Sequence, residues 1–309
     1  MRIRKLIYLL GFFLCLISLV ACQKKIQKSS EHNNGLKIVT SFYPIYAMVR
    51  DISGDLNDVR MIQSQSGIHS FEPSVNDIKA IYDADVFVYH SHTLESWAGK
   101  LDPTLEDSKV KVIEASVGME LQKVTGLEDV EATDGIDPAT LYDPHTWLDP
   151  VLVGQEANLI AKQLAKVDEK HANVYKANAK KLQEKANQLS DKYIKAFKKT
   201  KNKTFVTQHT AFAYTAKRFG LSQLGIASVS NEEPSPRQLA EIRDFVKNYK
   251  VKTIFVEKGV SQKLAKSLAT STGVSLKELN PLEGDPENNL TYLENLNKDF
   301  KTLLNELEK

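Results

Sequence analysis

Cysteine is scarce in this chain: its 309 residues include only 2, Cys15 and Cys22. Because Cys15 lies in an apolar N-terminal segment, removal of that segment would leave Cys22 as the single cysteine. One cysteine cannot form an intramolecular disulfide, and it cannot supply the set of thiolates that a cysteine metal site needs. The composition therefore excludes a disulfide-stapled fold, and any metal site must use other donors.

A large net charge is also lacking. The chain has 41 Lys and Arg against 39 Asp and Glu, a formal balance of +2, which gives no overall sign of a nucleic-acid partner. One stretch, 162–203, is strongly basic, with 13 Lys against 4 Asp or Glu. Its helical pattern favours a solvated helix face over a nucleic-acid surface. We therefore expect no nucleic-acid partner.

The N-terminal apolar run is too short for an ordinary membrane span. Leu6–Val20 has 15 residues, whereas a spanning helix needs roughly 20. A basic segment, Met1–Lys5, precedes the run, and its end, Leu-Val-Ala-Cys, resembles the lipobox of bacterial lipoproteins, with Cys22 as the lipidated residue. We predict a signal peptide over 1–21 and a polar, disordered tether over 22–35. Two acyl chains would then hold the protein on the extracellular face of the cell membrane.

Short β-branched runs alternate with helical patterns along the rest of the chain. Such alternation is typical of βαβ units and a mostly parallel sheet. The pattern restarts near residue 203, which predicts an α/β fold of two similar lobes, 36–165 and 202–309. Each lobe should hold a roughly four-stranded, mostly parallel sheet flanked by helices. The predicted strands are Leu36–Phe42, Val59–Ile62, Ala84–Tyr89 and Val110–Ile113, then Thr204–Thr207, Leu224–Val229, Val251–Val256 and Val274–Leu279.

One long helix is predicted between the lobes, over 166–201. Its apolar residues recur at intervals of three and four, the pattern of a helix that packs along one face. No Gly or Pro interrupts the chain between Glu169 and Thr200, so this connection should be rigid. The residues of the packed face are Tyr175, Ala179, Leu182, Ala186, Leu189 and Tyr193.

Three histidines occupy similar places in this pattern. His69, His145 and His209 each follow an apolar run and precede a helix start, where ligands of α/β folds gather. Neutral imidazole is the commonest protein ligand of transition metals. The three lie 76 and 64 residues apart and belong to no local metal motif. From the pattern alone, three separate loop histidines and one shared metal site are both compatible with the sequence.

Four short motifs favour the shared site. They are Gly-Ile-His-Ser-Phe-Glu-Pro-Ser (67–74), Asp-Pro-His-Thr-Trp (143–147), Thr-Gln-His-Thr-Ala-Phe (207–212) and Glu-Pro-Ser-Pro (233–236). Together they resemble the metal-binding lipoproteins of bacterial ABC importers, and in particular the zinc-binding, laminin-binding-protein-like branch of Gram-positive bacteria. The resemblance covers nearly all of the chain from Leu36 onward. It implies two α/β lobes joined by one long helix.

The resemblance also implies a metal-ligand set. His69, His145 and His209 would bind one ion, and a carboxylate near the C-terminal end would be the fourth ligand. Glu283 matches the Pro-Leu-Glu segment of this branch, and Asp285 is the alternative. Such a set suits Zn²⁺ in a closed tetrahedral site, held as transported solute. His209 argues against Mn²⁺, which prefers oxygen donors.

A closed site favours holding an ion over catalysis, so we expect no enzyme activity. An exported zinc hydrolase is the first alternative, and it would need an open coordination position and a base, for which Glu72 is the neighbour in sequence. A laminin- or matrix-binding adhesin, as a primary or secondary role, is the second alternative.

The expected partner is the ABC permease of a zinc importer, and further candidates are laminin and zinc-donating surface proteins; we expect a monomer. The stretch from Glu120 to Tyr142 is acidic and has no histidine, unlike the histidine-rich loop of some zinc importers. Whether the protein gathers zinc itself or receives it from another component is therefore left open. His90 and His92 should face opposite sides of a strand end, which favours structural or ligand-orienting roles over shared metal binding.

Overall fold

The computed structural model describes residues 35–309, apart from 64, 66, 125, 126, 128 and 130–140. The predicted signal peptide, the lipidation site at Cys22 and nearly all of the tether lie outside the described residues, as does much of the acidic stretch. The described part forms one compact unit. None of its helices combines the length and the apolar content that a membrane span requires.

The N-terminal half contains a four-stranded parallel sheet with the strand order β2-β1-β3-β4. Helices connect successive strands, as the alternating pattern predicts. Ser74 starts the second helix with a capping box, because its hydroxyl accepts from the Asp77 backbone N–H. The elements are β1 (Lys37–Phe42), α1 (Tyr43–Ser53), β2 (Asp58–Gln63), α2 (Val75–Tyr82), β3 (Val86–Tyr89), α3 (Ser96–Leu105) and β4 (Lys111–Glu114).

The C-terminal half repeats this arrangement with the strand order β6-β5-β7-β8, again all parallel. The predicted fold class is thereby confirmed. One strand, β6, begins and ends two residues before the predicted run, because Ser222 already pairs with Thr204 of β5. The elements are β5 (Thr204–His209), α6 (Ala213–Phe219), β6 (Ser222–Ala227), α7 (Pro236–Asn248), β7 (Thr253–Val256), α8 (Lys263–Thr272), β8 (Ser275–Glu278) and α9 (Tyr292–Leu307).

Two helices lie between the halves: α4 (Pro150–Val167) and α5 (Ala172–Lys199). The second is the expected long helix, with 28 residues and a length of about 42 Å. It packs along its predicted apolar face against α4, so the lobes are joined by a helix pair. The chain turns at Asp168, whose carboxylate accepts from His171 Nδ1 at 2.7 Å and from the Tyr175 hydroxyl at 2.6 Å. These local bonds compete with helix continuation.

A single apolar cluster connects the two sheets through this helix pair. It includes Phe42 from the first half, Ile160 and Phe197 from the helix pair, and Phe205 and Phe300 from the second half. The other face of each sheet has its own cluster under its own helices. Both sheets therefore rest on one shared core, which fixes the strand ends of one half relative to those of the other.

Candidate metal centre

His69 lies on a short 3₁₀ turn, Ile68–Ser70, between β2 and α2. Gly67 enters the turn with φ of 102°, a conformation that glycine adopts without the strain other residues would suffer. The side chain is 10% exposed, in contrast to the other candidate ligands, which are 0–1% exposed. His69 therefore lies at the solvent side of the site.

His145 is fully buried and is held by Asp143 from the same motif. One oxygen of Asp143, Oδ1, accepts from His145 Nδ1 at 2.7 Å and from the His145 backbone N–H at 2.9 Å. In the neutral ring Nδ1 therefore carries the proton, and Nε2 is the nitrogen whose lone pair can bind a metal ion. Behind the imidazole, His90 Nε2 donates to the carbonyl of Pro144 at 2.8 Å.

His209 is the last residue of β5 and presents its other ring nitrogen. Its Nε2 lies 3.0 Å from the Val229 carbonyl. A carbonyl oxygen only accepts, so Nε2 is the donor and Nδ1 faces the site. His145 and His209 thus use different ring nitrogens, and a backbone or carboxylate acceptor selects the nitrogen in each case.

Glu283 follows β8 on a turn with unusual backbone geometry. Leu282, just before it, is buried and has φ of 55°, a left-handed conformation that costs energy for a large side chain. Asn280 Oδ1 accepts from the Leu282 N–H at 2.8 Å, and Trp147 Nε1 donates to the Pro281 carbonyl at 2.9 Å. The second bond ties this turn to the motif that contains His145.

The four candidate donor atoms converge on one point. Glu283 Oε1 lies 3.4 Å from His69 Nε2, 3.6 Å from His145 Nε2 and 3.4 Å from His209 Nδ1. The Nε2 atoms of His69 and His145 are 3.2 Å apart, and all four donors lie within 4.8 Å of one another. A tetrahedral Zn²⁺ with bonds of roughly 2.0–2.1 Å would place its donors roughly 3.3–3.4 Å apart. The donor set therefore has the size and the chemistry of a zinc site.

The charged groups of the cluster favour a bound cation. Burial raises the pKa of Glu283, but hydrogen bonding and positive charge from the histidines outweigh burial and hold this pKa well below its usual range. Burial lowers the pKa of His145, but Asp143 and Glu283 outweigh it and raise the pKa to about 9. The metal-free site thus carries protons that a bound metal ion would replace.

The other residues singled out in the sequence lie outside this cluster. Asp285 is exposed, and its Oδ1 accepts from the Glu287 N–H at 2.8 Å. Glu72 is also exposed. His92 is half-exposed and lies 3.6 Å from Glu114, away from His90, which is buried.

Two acidic residues next to the site have no role in the prediction from sequence. Asp143 belongs to the 143–147 motif, and its position two residues before His145 is a signal that it contacts this ligand. Glu257 follows β7 directly and lies 3.3 Å from His209 Nδ1. It occupies the same kind of strand end as the predicted ligands, and this signal was available in the sequence.

Fold and site together define a class: a two-lobed α/β binding protein with a buried centre of three histidines and one glutamate. A sequence model of the family described as the periplasmic component A of the zinc-uptake complex, ZnuA, matches residues 38–306. The chain belongs to this family, which confirms the resemblance inferred from the four motifs. The family is one of transport components.

Individual relatives agree with this assignment. The chain is 34% identical to the high-affinity zinc uptake system protein ZnuA of Bacillus subtilis over 302 residues, which cover 95% of each protein. It is 35% identical to the zinc-binding lipoprotein AdcA of Streptococcus pneumoniae, where the match covers 97% of this chain and 60% of AdcA. The chain thus spans less than two thirds of the AdcA proteins.

Solved structures resemble the whole described unit. A Zn(II)-bound mutant variant of AdcAII from Streptococcus pneumoniae is 64% identical, with a TM-score of 0.83 over 88% of this chain and 98% of that one. The laminin-binding protein Lmb of Streptococcus agalactiae, described as bifunctional with adhesin and metal-transporting activity, is 57% identical. Its TM-score is 0.81, over 88% of this chain and 100% of that one.

Proposed function

We propose that this protein is an extracellular, zinc-binding solute-binding lipoprotein that captures one Zn²⁺ between its lobes and delivers it to an ABC permease. The ligands in this proposal are His69, His145, His209 and Glu283. Membership of a zinc-uptake family and relatives that are named as zinc-binding support the assignment of the ion. Zinc is the cargo here, so its site must both hold and release it.

The observation that carries the proposal is the convergence of the four donor atoms. Four of their six separations are 3.2–3.6 Å, close to the edges of a tetrahedron around Zn²⁺, and all six lie within 4.8 Å. Three neutral imidazoles and one carboxylate also form a donor set that is typical of zinc rather than of Mn²⁺ or Mg²⁺.

The same closed shell supports a binding function over an enzymatic one. A catalytic zinc site keeps an open position for water, whereas four protein donors fill a tetrahedral shell. Glu72, the base that a hydrolase would require, has an exposed side chain and is not one of the converging donors. We therefore propose that the protein holds zinc without chemical turnover.

Zinc binding by purified protein tests the ligand assignment. The wild type should bind one zinc ion per chain, measured by elemental analysis and by competition with a chromogenic chelator. His145→Ala and Glu283→Gln should each weaken binding by at least about 100-fold, because each removes one of four bonds to the ion. A zinc-bound crystal structure with water in place of Glu283 would contradict the proposal and favour hydrolysis.

Asp285→Asn is the matched control for Glu283→Gln. Asp285 is two residues further along the same turn, and its side chain is exposed. The same loss of one negative charge there should leave zinc affinity within about twofold of the wild type. If Asp285→Asn weakens binding and Glu283→Gln does not, the fourth ligand is Asp285.

Membrane attachment forms a separate part of the proposal. We propose that residues 1–21 are removed as a signal peptide and that Cys22 carries the lipid, as the Leu-Val-Ala-Cys sequence indicates. Cys22→Ala should release the mature protein from the membrane fraction into the medium without changing its zinc affinity. The lipid anchor is refuted if the variant stays in the membrane fraction like the wild type.

Delivery to the permease is tested by zinc uptake in cells. Cells that lack this protein should take up less zinc from zinc-poor medium, and the wild-type gene should restore uptake. A gene with His145→Ala should fail to restore it. The same uptake in cells with and without the gene would remove transport from the proposal.

Adhesion is the second candidate function. It is favoured by the 57% identity to Lmb and by the 56% identity to the laminin-binding protein Lbp of Streptococcus pyogenes. Binding of purified monomeric protein to immobilised laminin at physiological salt would support it. Zinc-loaded wild type and His145→Ala would be compared, and no binding by either would exclude adhesion.

A further inference from the structure

Glu257 is a buried carboxylate that the four-ligand description leaves unexplained. It follows β7, and its backbone is fixed by a hydrogen bond from Gln262 Nε2 to its carbonyl at 2.8 Å. The side chain is 6% exposed, and its Oε1 lies 3.3 Å from His209 Nδ1. Within the described part of the chain, this oxygen accepts no hydrogen bond.

The position of the Glu257 carboxylate favours a positive charge close to it. Because His209 Nε2 donates to the Val229 carbonyl, the neutral ring points a lone pair from Nδ1 toward the site. The Oε1 atoms of Glu257 and Glu283 lie 3.3 Å and 3.4 Å from that same nitrogen. A buried carboxylate without a donor is costly unless a cation compensates it. A metal ion at the centre would supply that cation.

Asp143 has a similar relation to His145, because its Oδ1 lies 2.7 Å from Nδ1 of that ligand, whereas two other buried carboxylates accept from groups that are not metal ligands. Glu156 accepts from the Thr146 hydroxyl, and Glu95 accepts from the backbone N–H groups of His90 and Ser91 at 2.9 Å. Burial raises the pKa of Glu156 to about 8 and that of Glu95 to about 7, which favours their neutral forms. Their hydrogen bonds thus go to groups other than the ligand imidazoles.

The net charge of the zinc-bound centre indicates a role for Glu257. Zn²⁺ with three neutral imidazoles and Glu283 forms a centre of net charge +1, and two further buried carboxylates lie against its ligands, Asp143 beside His145 and Glu257 beside His209. We propose that Glu257 is a charge-compensating carboxylate of this centre, which stabilises the bound ion from the His209 side without being one of the four ligands. Its Oε1 is not among the four atoms that lie within 4.8 Å of one another. This inference rests on the proposed zinc-binding function.

Substitutions that separate charge from shape test the role. Glu257→Gln keeps the shape and removes the charge, whereas Glu257→Asp keeps the charge and shortens the side chain. Glu257→Gln should weaken zinc binding about 10–100-fold, because it removes a buried negative charge close to the ion. Glu257→Asp should bind zinc more tightly than Glu257→Gln. Glu278→Gln, with the same change on an exposed residue at the end of β8, should bind like the wild type.

Thermal unfolding provides a readout that a purely structural role would not give. In the metal-free protein, Glu257→Gln removes a buried charge without a donor, so the Tm should stay equal or rise. The increase in Tm that zinc produces should be smaller than in the wild type, because the affinity is lower. The absorption spectrum of the Co²⁺-substituted variant should keep its tetrahedral form, because the four ligands are unchanged.

Several results would overturn the inference. Zinc binding by Glu257→Gln within twofold of the wild type would remove the charge role, and so would weaker binding by Glu257→Asp than by Glu257→Gln. A change in the Co²⁺ spectrum from four to fewer or more ligands would show that Glu257 binds the ion itself. If the wild type binds no zinc, it is the proposed function that fails, whereas tight wild-type binding with an unaffected Glu257→Gln refutes this inference alone.

Discussion

Asp143 should control zinc affinity although it does not face the ion. Its Oδ1 holds the His145 ring through two hydrogen bonds, at 2.7 and 2.9 Å, and it keeps the proton on Nδ1 so that Nε2 is free to bind metal. His145 Nε2 is 3.2 Å from its neighbour His69 Nε2. A ring that is rotated, or that carries its proton on Nε2, would no longer present a lone pair at this position. Loss of such an orienting group weakens metal binding about 10–100-fold, which is about 1.4–2.7 kcal/mol.

We expect Asp143→Asn to lose about tenfold in zinc affinity, because the amide oxygen still accepts from Nδ1 but carries no charge. Asp143→Ala, which removes the acceptor, should lose about 100-fold. Chelator competition at pH 7.5 measures both, with Asp107→Asn, on an exposed residue, as the control. Circular dichroism verifies that each variant folds. Wild-type affinity in a folded Asp143→Ala would refute the argument that this carboxylate selects the ring nitrogen.

Three further outcomes follow from the geometry. Trp147→Phe removes the donor to the Pro281 carbonyl and should lower the free energy of unfolding by about 1–3 kcal/mol, measured by urea denaturation. An unchanged free energy would show that this hydrogen bond adds no stability. Gly225→Ala would place a Cβ 1.7 Å from Oγ1 of Thr210, the residue after His209, and should lower both the Tm and the zinc affinity. A Tm equal to that of the wild type would contradict this expectation. Zinc affinity should rise with pH between 6 and 8, by up to about tenfold per unit, because the raised pKa of His145, about 9, keeps a proton that zinc must displace. Affinity that is constant over this range would contradict that proton exchange.

Much of the fold could be predicted because its signals are local. Strand and helix patterns depend on neighbouring residues, and β5 begins at Thr204, the residue where the predicted strand begins. The turn at Asp168 could not be read in this way, because neither Gly nor Pro marks it. There, side-chain bonds from His171 and Tyr175 to the Asp168 carboxylate compete with helix continuation, and no apolar spacing marks them.

The candidate site was predictable to the level of residues but not of atoms. His69, His145 and His209 stand at chain positions where α/β folds place ligands, and the motifs around them resemble a known family. The ring nitrogen that each presents depends on acceptors such as Val229, which is 20 residues from His209. The role of Glu257 likewise depends on the pairing of β7 beside β5.

The order of residues by itself determined two parallel α/β lobes and a long connecting helix, since these follow from spacing along the chain. The choice of the three histidines came from the resemblance of their motifs to a known family. Only the tertiary structure decided that the four donor atoms lie within 4.8 Å of one another. That separation arises because one apolar core fixes both sheets, and because Trp147 ties the turn of Glu283 to the motif of His145. Contacts between residues more than 100 positions apart are set by packing, and no local pattern encodes them.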